Sequence, residues 1–178
     1  DLHPFPTRRS SDLRIDQPMK SFVVLDSEPN QDDPSRRDAL FDSELMTLPE
    51  RSYYDNPALL KEFEHVVADF FWANHLENPK TLAHAVVQFE KDFAHHYPLP
   101  VEFRQRSAER NPITRAELLK NYPNLELSRI LKRIPSKTRF RNLEPETFAF
   151  LNDQLEKAPL ATLKDVLLYQ SAKEFMDD

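Results

Sequence analysis

The sequence contains no glycine and no cysteine among its 178 residues. Without cysteine, the chain has no disulfide, no thiolate zinc site, no iron–sulfur cluster and no thiol nucleophile. Without glycine, it cannot build the glycine-rich loops that bind phosphates and dinucleotides, or the Gly-x-Ser-x-Gly nucleophile elbow. Helix ends must therefore be marked by asparagine and by the 15 prolines.

Three further features are missing. No apolar run approaches the roughly 20 residues that a membrane span requires, so we expect no membrane segment. The net charge of -6 argues against nucleic acid as a partner. No His-Glu-x-x-His occurs, although a zinc hydrolase needs both histidines and the glutamate to converge on one water. We therefore expect neither a metal site nor catalytic residues in this chain, while spacing does not decide whether a Ser/His/Asp triad exists.

The N-terminal part has the pattern of short strands. Ser21–Leu25 is rich in β-branched and aromatic residues and leads into a polar loop over residues 26–37. Arg37–Met46 alternates weakly and could return as a second strand. We therefore predict a β-hairpin or extended segment and linker over residues 14–55.

From Asn56 onward the apolar spacing changes to that of helices. Asn56-Pro57 and Asn78-Pro79 are helix starts, and Thr114 with Glu117 forms a capping box. The first stripe contains Leu59, Leu60, Phe63, Val66, Val67, Phe70 and Phe71. Further helices are predicted over residues 82–93, 125–134, 145–155 and 159–167, and the first two should be antiparallel. The fold class is mainly α, a helical lobe of five to seven helices over residues 56–178.

The first 13 residues are set apart from this pattern. Residues 5–13 resemble the in-frame translation of a sequencing-library adapter, so we interpret residues 1–13 as a non-native tail. The alternatives are a natural flexible tail and a basic-directed kinase site at Arg8-Arg9-Ser10-Ser11. If the adapter interpretation is correct, the reading frame begins at a broken end and the native N-terminus is missing.

Two groups of polar residues have spacings that could form a site. His65 and Asp69 lie one helical turn apart, and Glu64 and His84 could join them around a metal ion, but a solvated helix face explains the same spacing. His95-His96 at a helix end would complement the negative end of the helix dipole.

A basic cluster lies later in the chain. Its members are Arg129, Lys132, Arg133, Lys137, Arg139 and Arg141, with Phe140 among them. Such a cluster could contact phosphate, but in an acidic chain we favour a solvated helix face that runs into a strand-like segment.

Five segments, in order, resemble the N-terminal helical region of the neprilysin and endothelin-converting-enzyme family of zinc metallopeptidases. They are Leu48-Pro49-Glu50-Arg51-Ser52-Tyr53-Tyr54, Phe89–Ala94, Glu102–Arg104, Asn111–Leu118 and Ala158–Leu167. The resemblance spans residues 15–175. Two positions depart from it, since Leu45 stands where the family usually has glycine and Val166 where tyrosine is common.

The resemblance implies a helical lobe that caps a thermolysin-like catalytic lobe and restricts its chamber to peptides. Zinc and its ligands would lie in that second lobe, the partner that this fragment lacks, and the parent would be extracytoplasmic or membrane-anchored. The fragment itself would bind no zinc and be inactive, with no substrate-binding residue assigned. Leu48, Pro49, Arg51, Tyr53 and Tyr54 would be structural. The alternative is a stand-alone helical module that binds a partner protein.

Overall fold

The computed structural model describes residues 21–173. Four strands form one sheet: β1 Val24–Pro29, β2 Arg37–Asp42, β3 Pro112–Ile113 and β4 Phe140–Asn142. The α-helices are α1 Pro57–Ala73, α2 Pro79–His96, α3 Pro100–Ala108, α4 Arg115–Asn121, α5 Ser128–Leu131, α6 Pro145–Lys157 and α7 Leu160–Lys173. Arg51–Asp55 and Pro123–Leu125 are short 3-10 helices. The predicted class, mainly α with N-terminal strands, is confirmed.

The N-terminal hairpin forms the larger part of the sheet. β1 and β2 are antiparallel, with Val24 opposite Asp42 and Pro29 opposite Arg37. The first strand begins and ends later than predicted and runs into the expected polar loop. It ends where Asn30 Oδ1 accepts hydrogen bonds from the backbone amides of Asp32 and Asp33, because this turn satisfies amides that would otherwise seek a strand partner.

The sequence pattern did not predict the other half of the sheet. β4 pairs in parallel with β2, and the two-residue β3 pairs antiparallel with β4, giving the order β1-β2-β4-β3. Such short strands carry almost no periodic signal, although the strand-like character around Phe140 was visible. The sheet therefore joins the N-terminal hairpin to two short segments much later in the chain.

The three predicted helix starts are confirmed, and two of them carry a side-chain cap. Asn56 Oδ1 accepts from the amides of Ala58 and Leu59 at 3.1 and 3.2 Å. Thr114 and Glu117 form the expected capping box. Asn78 precedes α2 as predicted but makes no side-chain cap, because its backbone is left-handed at φ 55°.

The helices α1, α2 and α7 enclose much of the core. The first two are antiparallel, since Asp55 at the start of α1 meets His95 near the end of α2. Phe63, Phe70 and Phe71 of α1 surround Tyr169 of α7 at ring-centroid distances of 6.2, 5.5 and 6.3 Å. The α1 stripe was predicted correctly except for Val66, which faces outward and is 57% exposed.

The helix predicted over residues 125–134 is interrupted. Glu126 adopts a left-handed backbone at φ 47°, so a 3-10 turn ends at Leu125 and α5 is a single turn. Other described residues also take left-handed positions that usually favour glycine: His75, Asn78, Arg110 and Asn111. Within residues 21–173, no helix combines the length and apolarity needed to cross a bilayer.

Candidate functional site

The segment Leu48–Tyr54 connects the sheet to α1, and Tyr54 is its buried anchor. The Tyr54 hydroxyl accepts hydrogen bonds from the backbone amides of Thr47 and Leu48, both at 3.0 Å. It donates to Glu90 Oε2 at 2.8 Å. Burial, and after it the negative charge of Glu90, raises the pKa of Tyr54, so the phenol keeps the proton that it donates.

Glu90 lies on the buried face of α2 and has no exposed surface. Its carboxylate accepts from the amide and the hydroxyl of Thr47, each at 2.9 Å, from Tyr54 and from Gln170 Nε2. Burial raises the pKa of Glu90, while the Tyr54 and Thr47 donors and the positive charge of Lys173 act in the opposite direction. The site is therefore a buried carboxyl with a full set of donors.

The last turn of α7 completes this network. Gln170 Nε2 donates to the Leu45 carbonyl at 2.9 Å, and Lys173 Nζ donates to the Met46 carbonyl at 2.9 Å. The segment 45–48 is thus held between α2 on one side and α7 on the other. This geometry fixes the loop, because Glu90, Gln170 and Lys173 all bond to backbone or hydroxyl groups within it.

The other residues of the motif take more exposed positions. The Arg51 guanidinium donates to the Tyr97 carbonyl at 3.0 Å and so ties the 3-10 helix to the end of α2. Leu48 is half-buried, Pro49 is exposed and Tyr53 is 41% exposed. The adjacent tyrosines therefore differ: one is buried in the Glu90 network and the other faces solvent.

A pocket of about 320 Å³ opens beside this loop. Its lining includes Asp42, Ser43, Met46, Leu48, Pro49 and Tyr97. Glu144, the residue before α6, is 1% exposed and lies close to Asp42 and Tyr97, two of the lining residues. Burial, followed by the negative charge of Asp42, raises the pKa of Glu144 to about 9. Near neutral pH this carboxyl is therefore protonated.

The sequence alone does not predict buried carboxyls at Glu90 and Glu144, although Glu90 belongs to a segment that carries the family resemblance. A signal was present for Glu90, since it falls on the same helix face as Val86 and Phe93, where a charged residue is unexpected. No comparable signal exists for Glu144. Its burial depends on the sheet and α6 meeting at that point.

The residues considered for metal binding do not converge. His84 Nδ1 lies 3.4 Å from Glu64 Oε2, while His65 and Asp69 are exposed on α1. Within residues 21–173, no group of three or more histidine, aspartate or glutamate side chains is placed to hold a metal ion.

The histidine pair does close α2, as the sequence predicts. His95 Nε2 lies 2.9 Å from Asp55 Oδ1. The ring of His96 stacks on Phe150 at a centroid distance of 4.6 Å, and its Nδ1 lies 2.7 Å from the Asp92 carbonyl. Both rings therefore have partners from neighbouring elements or from the helix end.

The basic cluster is, as predicted, an exposed helical part with Arg129, Lys132 and Arg133 that runs into a strand, β4, but Arg141 in that strand is buried. Arg141 is 3% exposed, pairs with Glu28 of β1 and donates to the Ser107 carbonyl at 2.8 Å. Arg139 lies 3.7 Å from Asp32. The strand pairing of β4 turns Arg141 inward, so this residue supports the sheet instead of offering a charge to phosphate.

Comparison with known proteins places the fold. The N-terminal model of peptidase family M13 matches residues 9–177, a range that includes the last residues of the proposed tail. That tail itself lies outside the described residues. No curated protein sequence matches the chain.

Two solved structures of the zinc metalloprotease Zmp1 from Mycobacterium tuberculosis share the fold. The cryo-EM structure in the open state has a TM-score of 0.72 at 16% identity, over 83% of this chain and 24% of that one. The crystal structure with an inhibitor has a TM-score of 0.71 at 14% identity, over 86% and 25%. This chain spans about a quarter of the length of those proteins. With the family model matched over nearly its whole length, the chain belongs to peptidase family M13, as part of the family's N-terminal region.

Proposed function

We propose that this chain is the helical lobe of a zinc metalloendopeptidase and caps its catalytic chamber, limiting substrates to peptides. The main support for this proposal is the family match over residues 9–177. The structural similarity to about a quarter of each Zmp1 chain adds to it. The parent would hydrolyse peptide bonds with a zinc-activated water supplied by its catalytic lobe. The fragment alone would be inactive and hold no zinc.

Within this lobe, the motif Leu48–Tyr54 has a structural role. Tyr54 joins the loop to Glu90, and Arg51 joins the 3-10 helix to the end of α2. Together they fix the angle at which the sheet enters the helices, because both contacts bridge to α2. A rigid connection between the sheet and the helices would hold the helical lobe in a fixed orientation relative to the catalytic part.

The partner of the lobe is the catalytic part of the same parent. Several large apolar side chains are exposed, among them Trp72 at 72% and Leu160 at 66%. The catalytic part would cover such side chains. By the same family relationship, the parent would be periplasmic, secreted or membrane-anchored, and its substrates would be peptides.

The test compares the chain with a longer protein obtained by extending its gene in both directions. The extended protein should hydrolyse short peptides, lose that activity with a chelator, and leave folded proteins intact. The isolated chain should show neither chelator-sensitive hydrolysis nor stoichiometric zinc. Activity in the isolated chain, or no peptidase activity in the extended protein, would refute the proposal. Equal cleavage of peptides and folded proteins would refute the cap role alone.

A further inference from the structure

We infer that an exposed basic ridge of this chain binds the anionic phospholipid headgroups of a membrane surface, as a peripheral contact that lies on the bilayer. The ridge consists of Arg36, Arg129, Lys132, Arg133 and Lys137. The inference goes beyond the proposed function and stands without it, because it concerns a surface on which that function places no contact.

The first argument is the separation of charge along the chain. Residues 127–143 contain six arginines and lysines and no aspartate or glutamate, whereas the whole chain has a net charge of -6. The rest of the chain is therefore more acidic than the chain as a whole. A molecule with this distribution is attracted to a negatively charged surface through one side only, with its acidic remainder turned away.

The fold presents these cations on a backbone that is held from within. Leu131 is 2% exposed, and the Arg115 guanidinium donates to the Leu131 and Ile134 carbonyls at 2.5 and 3.1 Å. The same guanidinium lies over the ring of Phe140, 5.4 Å from its centroid. The inner side of this segment is thus fixed, while the ridge cations are exposed on the outside.

Most of the ridge is not used by the fold. Arg36 joins it from the β1–β2 loop, with its guanidinium 3.5 Å from the Lys137 carbonyl. Arg129 lies 3.4 Å from Glu126, but both side chains are largely exposed, so this pair is weak. Within residues 21–173, the other three ridge side chains have neither an ion pair nor a hydrogen bond. Their charges are available to an anionic partner.

The acidic side chains of the neighbouring loop are engaged by other groups. Asp32 pairs with Arg110 and Arg139, which lie outside the ridge. Asp33, whose charge faces Arg36 and Arg139, accepts hydrogen bonds from the amide and the hydroxyl of Ser35. The ridge therefore keeps a net positive charge.

The composition of the ridge favours headgroups over other anionic partners. Protein interfaces have an apolar or aromatic centre, but no large apolar side chain is exposed within residues 128–139. Single-stranded nucleic acid stacks on exposed aromatic rings, whereas Phe140 is 3% exposed. A long polyanion would also meet the acidic remainder of the chain. A headgroup surface requires only clustered cations on one face.

The test measures flotation of the chain with phospholipid vesicles. The anionic vesicles contain phosphatidylcholine with about one third phosphatidylglycerol, and pure phosphatidylcholine vesicles are the neutral control. We expect the chain to float with the anionic vesicles alone. About 1 M salt should release it, because the Debye length is then only about 3 Å. Free glycerol phosphate should not compete, since one small anion cannot contact the whole ridge.

Variants make the test specific. Lys132→Glu, Arg133→Glu and Lys137→Glu, combined in one chain, should weaken binding to the anionic vesicles at least about a hundredfold, since each cation near such a surface contributes about fivefold in affinity. The matched control combines Lys61→Glu, Lys80→Glu and Lys164→Glu, the same charge change at exposed positions of α1, α2 and α7. It should weaken binding by less than about tenfold, because screening limits the effect of distant charges.

Both variants should unfold at the urea midpoint of the unmodified chain, because all six positions are exposed. Equal flotation with neutral vesicles, no flotation with anionic ones, or equal losses in the two variants would overturn the inference. Tighter binding to duplex DNA than to the vesicles would overturn it as well.

Discussion

Glu90 and Glu144 are both buried carboxyls, at 0% and 1% exposure, but their surroundings are opposite. Glu90 accepts hydrogen bonds from the Thr47 amide and hydroxyl, Tyr54 and Gln170. Glu144 lies next to another carboxyl, that of Asp42, whose negative charge adds to the cost of ionising it. Burial thus does not decide what a carboxyl contributes; the donors around it do. The first should stabilise a loop, and the second should destabilise the fold once it ionises.

The strongest test of this contrast is Glu90→Gln. The amide nitrogen would meet N–H and O–H donors in place of an acceptor, so we expect the free energy of unfolding to fall by about 2–4 kcal/mol. Urea denaturation measures it. The control Asp69→Asn makes the same kind of change on an exposed site and should differ by less than about 0.5 kcal/mol. A small effect at Glu90 would mean that its donors do not support the loop.

Glu144→Gln should have the opposite sign. The folded pKa of Glu144 is raised to about 9 from the ordinary 4.5, so the folded state binds more protons than the unfolded state between these values. Its contribution to stability is therefore lost progressively as pH rises through that window. We expect the variant to be about 1–3 kcal/mol more stable near neutral pH.

The pH series checks the cause of that gain. Thermal or urea unfolding of both proteins at about pH 5 and about pH 8 should show the difference between them growing with pH. A difference that is constant across the series would show that ionisation of Glu144 is not responsible.

Tyr54→Phe separates the hydroxyl from the ring. Loss of the hydroxyl leaves the Leu48 amide without its acceptor and removes one donor from Glu90. We therefore expect the free energy of unfolding to fall by about 1–2 kcal/mol. The neighbouring Tyr53→Phe is a matched control at an exposed position and should be close to neutral. Similar unfolding midpoints for the two variants would contradict the role given to Tyr54.

The smallest effect concerns the backbone at Glu126. Its φ of 47° suits glycine, so Glu126→Gly should stabilise the chain by about 0.5–1 kcal/mol by relieving the left-handed strain. The control is Lys132→Gly, where φ is -60° and glycine should destabilise. Destabilisation by both variants would mean that the Glu126 side chain matters more than its backbone.

The sequence predicted local features better than long-range ones. The caps at Asn56 and at Thr114 and Glu117 are predictable from the sequence, because a cap needs only three or four neighbouring residues. The pairing of β2 with β4 and the inward turn of Arg141 were missed, since they depend on segments about a hundred residues apart. The segment Leu48–Tyr54 was recognised as a motif, but its partner Glu90 became evident only from the packing of α2 against the loop.

The contact between Gln170 and the Leu45 carbonyl spans 125 positions of the sequence. The loop 45–48 therefore leaves the ribosome long before the side chains of α7 that complete its hydrogen bonds. Until then, Glu90 can accept hydrogen bonds only from Thr47 and Tyr54. The N-terminal hairpin likewise lacks its neighbour β4 until that later segment is synthesised. Folding of this unit should accordingly be concerted and late, completed only when the segment through Lys173 has emerged.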